Sequence, residues 1–340
     1  MKKKSEILPN NICFITHQLE HLHNVSVSIS FKAGSLYESK YNNGISHLVE
    51  HLFFRQLSDL SQESLYFNMQ KIGGEITGKT YCDYVTFSIN VIPQYLYDAL
   101  DIMLKFFDDF EWSNSIILKE KEVVLRQIEN KAYSYNQWID SIYFENTKYT
   151  LPIMGTKKTV KSLTAFEINS WKKEYFSPAN SCVTITGNFS NEFYDFLKQK
   201  LSIINNFGKK QAPIIEIAPN FTKRNSDNYL TVINADSKLS EVVVLFDIKN
   251  TFDYESVKLI TSILSDGCGS KLSMIMREKY KLTDDIFTQL TSYCGFHRYS
   301  ISYTVKNKNI FNSIDILFKI INEIKTDITL NEYASTIPFF

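Results

Sequence analysis

The clearest chemistry in this sequence is carried by His47, Glu50 and His51, which stand in the order H-x-x-E-H. On a helix the two histidines project from one face a turn apart, so both imidazoles can meet a single cation. Glu50 lies on the adjoining row, where a carboxylate can take a proton from an attacking water. Hydrolytic zinc chemistry needs such a set: neutral nitrogen ligands, an open coordination position, and a base beside a water whose pKa the metal lowers toward about 7. Taken alone, the triplet fits a solvated helix equally well, because its order is the reverse of H-E-x-x-H.

Other candidates carry less. His17, His21 and His23 fall in an expected hairpin turn and read as solvated loop histidines, and His297 stands alone. The 5 cysteines are scattered, with no C-x-x-C pair, which indicates neither a disulfide framework nor a thiolate zinc site and fits a reducing, cytoplasmic setting. The opening Met1-Lys2-Lys3-Lys4 lacks the apolar run of a secretory signal, and no stretch approaches the roughly 18 apolar residues that span a bilayer.

The elements that must hold the triplet can be read from periodicity. Ile12–Ile15 and Val25–Phe31 read as strands. Gly44–Leu57 has Ile45, Leu48, Val49 and Leu52 at helical spacing, so the H-x-x-E-H lies on a helix. A second helix spans Gln62–Lys71 and ends at Gly73-Gly74. Strands follow around Ile76 and over Tyr84–Val91, then a helix opened by Pro93 and a longer one over Asn114–Asn136. A strand at Cys182–Thr186 and a helix from Asn191 complete the first half.

At 340 residues the chain suits two domains. Gly208, Pro213, Pro219 and the lysines between them lie in an aperiodic stretch, so the boundaries expected are 1–204, a linker at 205–228, and 229–340. Strands at Tyr229–Ile233 and Val242–Phe246, helices at Asp253–Leu264 and Ser270–Tyr280, a strand at Arg298–Val305 and a helix at Ile310–Ile324 repeat the grammar of the first half. This reads as a diverged duplication of an α+β unit. The second copy is shorter, and Asn331–Phe340 reads as a helix cut off near its start. Lys plus Arg balances Asp plus Glu at 37 each, so no global field draws the chain to nucleic acid or anionic lipid.

A longer series of motifs surrounds the triplet. Lys32-Ala33-Gly34-Ser35 precedes Gly44-Ile45-Ser46-His47-Leu48-Val49-Glu50-His51, and Gly73-Gly74-Glu75-Ile76-Thr77 follows. Further on stand Gly155-Thr156, Ser162-Leu163-Thr164 through Ile168, Ser177-Pro178-Ala179-Asn180 before Gly187-Asn188, and Gly267-Cys268-Gly269-Ser270-Lys271-Leu272 before Arg277-Glu278-Lys279. In this order they resemble the pitrilysin/insulinase metallopeptidases over nearly the whole chain, and in particular the two-domain subunits of the mitochondrial-processing-peptidase type. The resemblance implies an α+β fold of two related α/β-sandwich domains, half of a clam-shell peptidase, with the second domain incomplete. It further implies one Zn2+ per chain held by His47 and His51 with Glu50 as general base, and extended peptides as substrates. These would pair with the strand at Gly74, Glu75, Ile76 and Thr77, and Arg277 would contact them. It also implies a homodimer, or a heterodimer with a second family subunit.

Three positions depart from the pattern, among them Thr77, which stands where the family has an asparagine on the substrate strand. The family's third metal ligand is a glutamate two helical turns beyond an acidic residue. Here Glu120 fits the acidic position, as a group supporting the ligands, and Gln127 stands where the ligand carboxylate belongs. A neutral amide oxygen leaves the site one negative charge short and weakens metal binding. Glu129 falls on another face of the same helix. The second departure is Asp284, which replaces a tyrosine that in the family holds the substrate oxyanion, and an acid there repels one. Two functions therefore stand side by side: an attenuated zinc endopeptidase, and a catalytically silent, peptide-binding partner of a heterodimeric peptidase.

Overall fold

The computed structural model describes residues 2–130, 139–140, 143–144, 147–205, 237–248, 253–267, 269–293 and 296–326. The chain divides into two compact units, Met1–Glu216 and Ile217–Phe340. Apart from Asn205, the expected linker at 205–228 lies outside the described residues, as do the expected strand at Tyr229–Ile233, the end of the Asn114–Asn136 helix and the stretch Asn331–Phe340.

In the first unit the strands β1 (Lys2–Ile7), β2 (Cys13–Gln18), β3 (Val25–Phe31), β6 (Glu75–Thr80), β7 (Val85–Val91) and β8 (Ser181–Gly187) form one sheet in the order β1-β2-β8-β3-β7-β6. All neighbours are antiparallel except β2 and β8. Strict alternation makes this sheet two-faced. Val25, Val27, Ile29 and Phe31 are buried, as are Val85, Phe87, Ile89 and Val91, while Ser26, Ser28, Ser30, Thr86 and Ser88 between them line the other face. The buried face packs on α1 (Ile45–Arg55), through Leu48, Val49, Leu52 and Phe53, and on α3 (Leu96–Leu104), through Ala99, Leu100 and Met103. Phe53 sits at the centre of an aromatic group with Phe87, Phe106, Trp112 and Phe176.

Between α1 and β6 run a short hairpin, β4 (Gln56–Leu57) with β5 (Leu60–Ser61), and α2 (Gln62–Lys71). The segment after α3 leads into α4 (Asn114–Asn130), which packs against α1. Then come α5 (Lys157–Ser162) and α6 (Ala165–Tyr175), each opened by a threonine capping box, and α7 (Asn191–Ser202). β6 is an edge strand, paired only with β7 among the described residues, so its other side presents unpaired main-chain groups.

The second unit has β9 (Leu239–Ile248), α8 (Tyr254–Ser265), β10 (Ile286–Tyr293), β11 (Phe296–Lys306) and α9 (Ile310–Thr326), with the sheet order β10-β11-β9 among its described strands. Its core gathers Leu264, Leu272, Met276, Ile301, Tyr303 and Leu317. The helix expected over Ser270–Tyr280 is a π-helix over Ser273–Lys279. No strand signal in the sequence marks β1 or β10, nor the two-residue β4 and β5. Lysines at β1 obscure its pairing with β2, and β10 mixes Thr, Gln and Ser with only a few apolar residues.

Candidate metal and catalytic site

α1 buries Ile45, Leu48, Val49, Leu52 and Phe53 against the sheet, which turns His47 and His51 toward α4. The two imidazole rings lie 4.6 Å apart, centroid to centroid. From α4 come the two residues that meet them. His51 Nδ1 donates to Glu120 Oε1 at 2.8 Å, and His47 Nε2 lies 3.3 Å from Gln127 Oε1. Because a carboxylate can only accept, the proton of His51 sits on Nδ1 and the lone pair of Nε2 is left for a ligand. Glu120 is 3% exposed and is also gripped by Arg55 Nε, whose Nη1 donates to Gln62 Oε1 at 2.7 Å. Gln62, Arg55, Glu120 and His51 thus form one chain of hydrogen bonds. Burial alone would raise the Glu120 carboxyl, but bonds from His51 and Arg55 outweigh it and hold the group below the ordinary range.

Glu50 is largely buried and is fixed by β6 rather than by solvent. Thr80 Oγ1 donates to its Oε2 at 2.6 Å, and His47 Nδ1 approaches the same oxygen at 3.5 Å, longer than an ordinary hydrogen bond. Burial pushes this carboxyl up, yet Thr80 and the two imidazoles outweigh it, so it is held below its usual value and ionised at neutral pH. Its approach to the strand depends on Gly78, where an added Cβ would stand 2.9 Å from Glu50 Oε1 and 2.5 Å from the Phe54 ring.

The remaining expected residues are placed as follows. Gly74 is packed so that a Cβ would meet Val91 at 2.7 Å and Met69 at 2.9 Å. Glu75 and Thr77 are exposed on one side of β6 and Ile76 is buried on the other. Glu129 is exposed and pairs with Lys157 at 3.1 Å. Arg277 and Asp284 belong to the second unit, where Arg277 is half exposed and lies 3.4 Å from Glu278. Four residues of the first-unit site went unread in the sequence: Arg55, Thr80, Gly78, and Glu38, which caps α1. Arg55, Thr80 and Gly78 act through partners distant in sequence or through backbone shape, and Glu38 through a cap six residues ahead, none of which leaves a periodic spacing.

The chemistry of the donor set allows a zinc ion. His47 Nε2, His51 Nε2 and Gln127 Oε1 are three neutral donors, and His51 is already in the tautomer a ligand requires. Among the described residues no three His, Cys, Asp or Glu side chains gather as a metal site.

An inverted zinc motif on a helix beside the edge strand of an α+β sheet defines the inverted-motif metallopeptidase class. Comparison places the chain within it: residues 14–157 match the insulinase, peptidase family M16, and residues 162–337 match the peptidase M16 inactive domain. The chain belongs to the M16 peptidase family. It is 22% identical over 330 residues to an uncharacterized zinc protease of Rickettsia felis, covering 95% of this chain and 76% of that relative. It is 26% identical over 168 residues to the mitochondrial-processing peptidase subunit beta of Saccharomyces cerevisiae, covering 48% of this chain and 36% of that protein. The crystal structure of a protease from Helicobacter pylori superposes with a TM-score of 0.79 over 97% of this chain and 82% of its own, at 18% identity. No helix among the described residues is long and apolar enough to cross a membrane.

Proposed function

We propose that this chain is a zinc-dependent endopeptidase of extended peptides, attenuated by Gln127. One observation carries the reading: the imidazoles of His47 and His51 lie side by side, one facing the Gln127 amide oxygen and the other oriented by Glu120, with ionised Glu50 a turn away. His47, His51 and Gln127 would hold one Zn2+ per chain, which when bound would supply Lewis-acid chemistry. Glu50 accepts the proton of the attacking water and returns it to the leaving amine, with Thr80 fixing the carboxylate for both transfers. Glu120 keeps His51 in one tautomer. The open edge of β6, from Gly74 to Lys79, receives the peptide main chain as an added strand, which gives affinity with little sequence demand. Arg277 contacts the substrate, and the active species is a homodimer or a heterodimer with a second family subunit in the cytoplasm. The names of the Rickettsia and yeast relatives support the zinc and subunit parts of this reading.

A second reading rests on Gln127 itself: a catalytically silent subunit that binds peptide and completes a heterodimeric peptidase. Metal content and the Glu50→Gln variant separate the two. The enzyme reading expects about one zinc per purified chain and loss of cleavage of an unfolded test peptide in the variant. Metal-free protein, with cleavage seen only after a second family member is added and unchanged by Glu50→Gln, would sink it in favour of the silent partner.

A further inference from the structure

Helix α1 is held at both ends, and the hold on its first turn comes from outside the motif. The opening N–H groups of a helix have no acceptor within it. Gly44, at the cap position, has no side chain to offer, and the first turn of α1 contains no acidic residue. Glu38 fills this role from six residues upstream of Gly44. Its Oε2 accepts from Gly44 N at 2.7 Å and from Asn43 Nδ2 at 2.8 Å, and its Oε1 accepts from Ser46 N at 2.9 Å. These donors are neutral, and Glu38 is 0% exposed. Burial pushes its carboxyl up against the pull of all of these bonds. A fully buried carboxyl with only dipolar partners is a costly way to fill a core, so its presence argues for a geometric task.

That task can be read from the neighbours. Gly44 takes φ +95° and Gly155 φ +73°, and the two backbones press together. A Cβ at Gly44 would lie 2.6 Å from Met154 O, and one at Gly155 would lie 2.4 Å from Asn43 O. Asn43 Nδ2 also reaches Pro152 O at 3.0 Å. The start of α1 therefore has one seat, and His47 follows Ser46 directly. At the other end Arg55 ties α1 to Glu120 of α4. Between the two pins, neither the rotation nor the axial position of α1 against α4 is free, and these decide whether His47 meets Gln127 and His51 meets Glu120.

We propose that Glu38 is a positioning residue for the His47 and His51 pair, acting through the first turn of α1 and touching neither substrate nor metal. The assignment rests on the reading of that pair as a zinc site. With a neutral third donor, the site relies more heavily on preset imidazole geometry than a site with a ligand carboxylate does.

The test uses the full chain and the variant Glu38→Gln, which keeps the shape but turns one acceptor atom into a donor. Zinc affinity is read by chelator competition well below the unfolding midpoint, and amide exchange by mass spectrometry. The expected result is zinc binding weakened about tenfold or more, with faster exchange over 44–51 and unchanged exchange in β3 and β7. Val183→Ala, a core truncation on β8, is the control for lost stability alone. Asn43→Ala, which removes one of the three donors to Glu38, should weaken zinc in the same direction by a smaller factor, and it carries the test if Glu38→Gln does not fold. Zinc affinity within twofold of wild type, or a loss that Val183→Ala reproduces, overturns the assignment. If wild type binds no zinc, the metal reading falls, and the exchange comparison alone decides whether Glu38 anchors α1.

Discussion

His51 Nδ1 and Glu120 Oε1 are joined at 2.8 Å across the α1–α4 packing, and this single bond decides which nitrogen of His51 faces outward. Replacing Glu120 with alanine removes the acceptor and also leaves Arg55 without its anion. Zinc affinity of Glu120→Ala should fall by roughly 10- to 100-fold, the usual consequence of losing a partner behind a metal-binding histidine. Chelator competition measures it, and an affinity within twofold of wild type would show that His51 orients itself without help.

Gln127 offers the opposite experiment. Its amide oxygen already lies 3.3 Å from His47 Nε2, so Gln127→Glu places a carboxylate there with almost no change of shape. A negative charge added to two imidazoles should tighten zinc binding by at least tenfold, on the order of 1.4 kcal/mol. If the endopeptidase reading holds, cleavage of an unfolded test peptide should rise with it at limiting zinc. Tighter zinc without any cleavage would move the weight to the silent-partner reading.

How much of this was legible beforehand follows from the range of the interactions. The helix of His47, Glu50 and His51 is local, since its apolar stripe and its chemistry share one period, and its observed span of Ile45–Arg55 sits inside the expected one. The alternation of Val25–Phe31 fixed both the strand and its buried face. Glu38 gave no such sign, because a carboxylate capping a helix six residues ahead leaves no periodic trace. Thr80 and Glu50 meet only after β6 has folded beside α1, thirty positions apart. β1 carries no strand signal because its lysines, at an edge strand, follow the rule that edges carry charge rather than the rule that strands alternate.

Gly78 gives a prediction that depends on space alone. A methyl group there would stand 2.5 Å from Phe54 and 2.9 Å from Glu50 Oε1, inside any tolerable contact. Gly78→Ala must therefore push the Phe54 ring and the Glu50 carboxylate off the strand, at a cost of about 1–3 kcal/mol of stability. Denaturant unfolding should show a lower midpoint with an unchanged slope. A wild-type midpoint would mean that Phe54 swings aside freely and that the close approach is not required.

Lys172 supplies the pH dependence. The residue is 3% exposed, and its ammonium donates to Phe110 O at 2.6 Å and Asp108 O at 3.2 Å and lies 3.5 Å from the centre of the Phe110 ring. Burial lowers its pKa to about 8, against the opposing pull of Asp109, Asp108 and Glu111. In the unfolded chain the group titrates near the ordinary lysine value of about 10.4. Below pH 8 both states carry the proton, and the folded state bears the full cost of the buried charge. Between pH 8 and about 10 the unfolded chain binds a proton that the folded chain does not, so stability rises with pH across that window. Lys172→Met removes the titration while leaving the other groups in place. The unfolding free energy of wild type, measured relative to Lys172→Met, should therefore increase as the pH is raised from 7 to 10. Parallel curves for the two proteins over that range would mean that the folded chain carries the charge at no greater cost than water does.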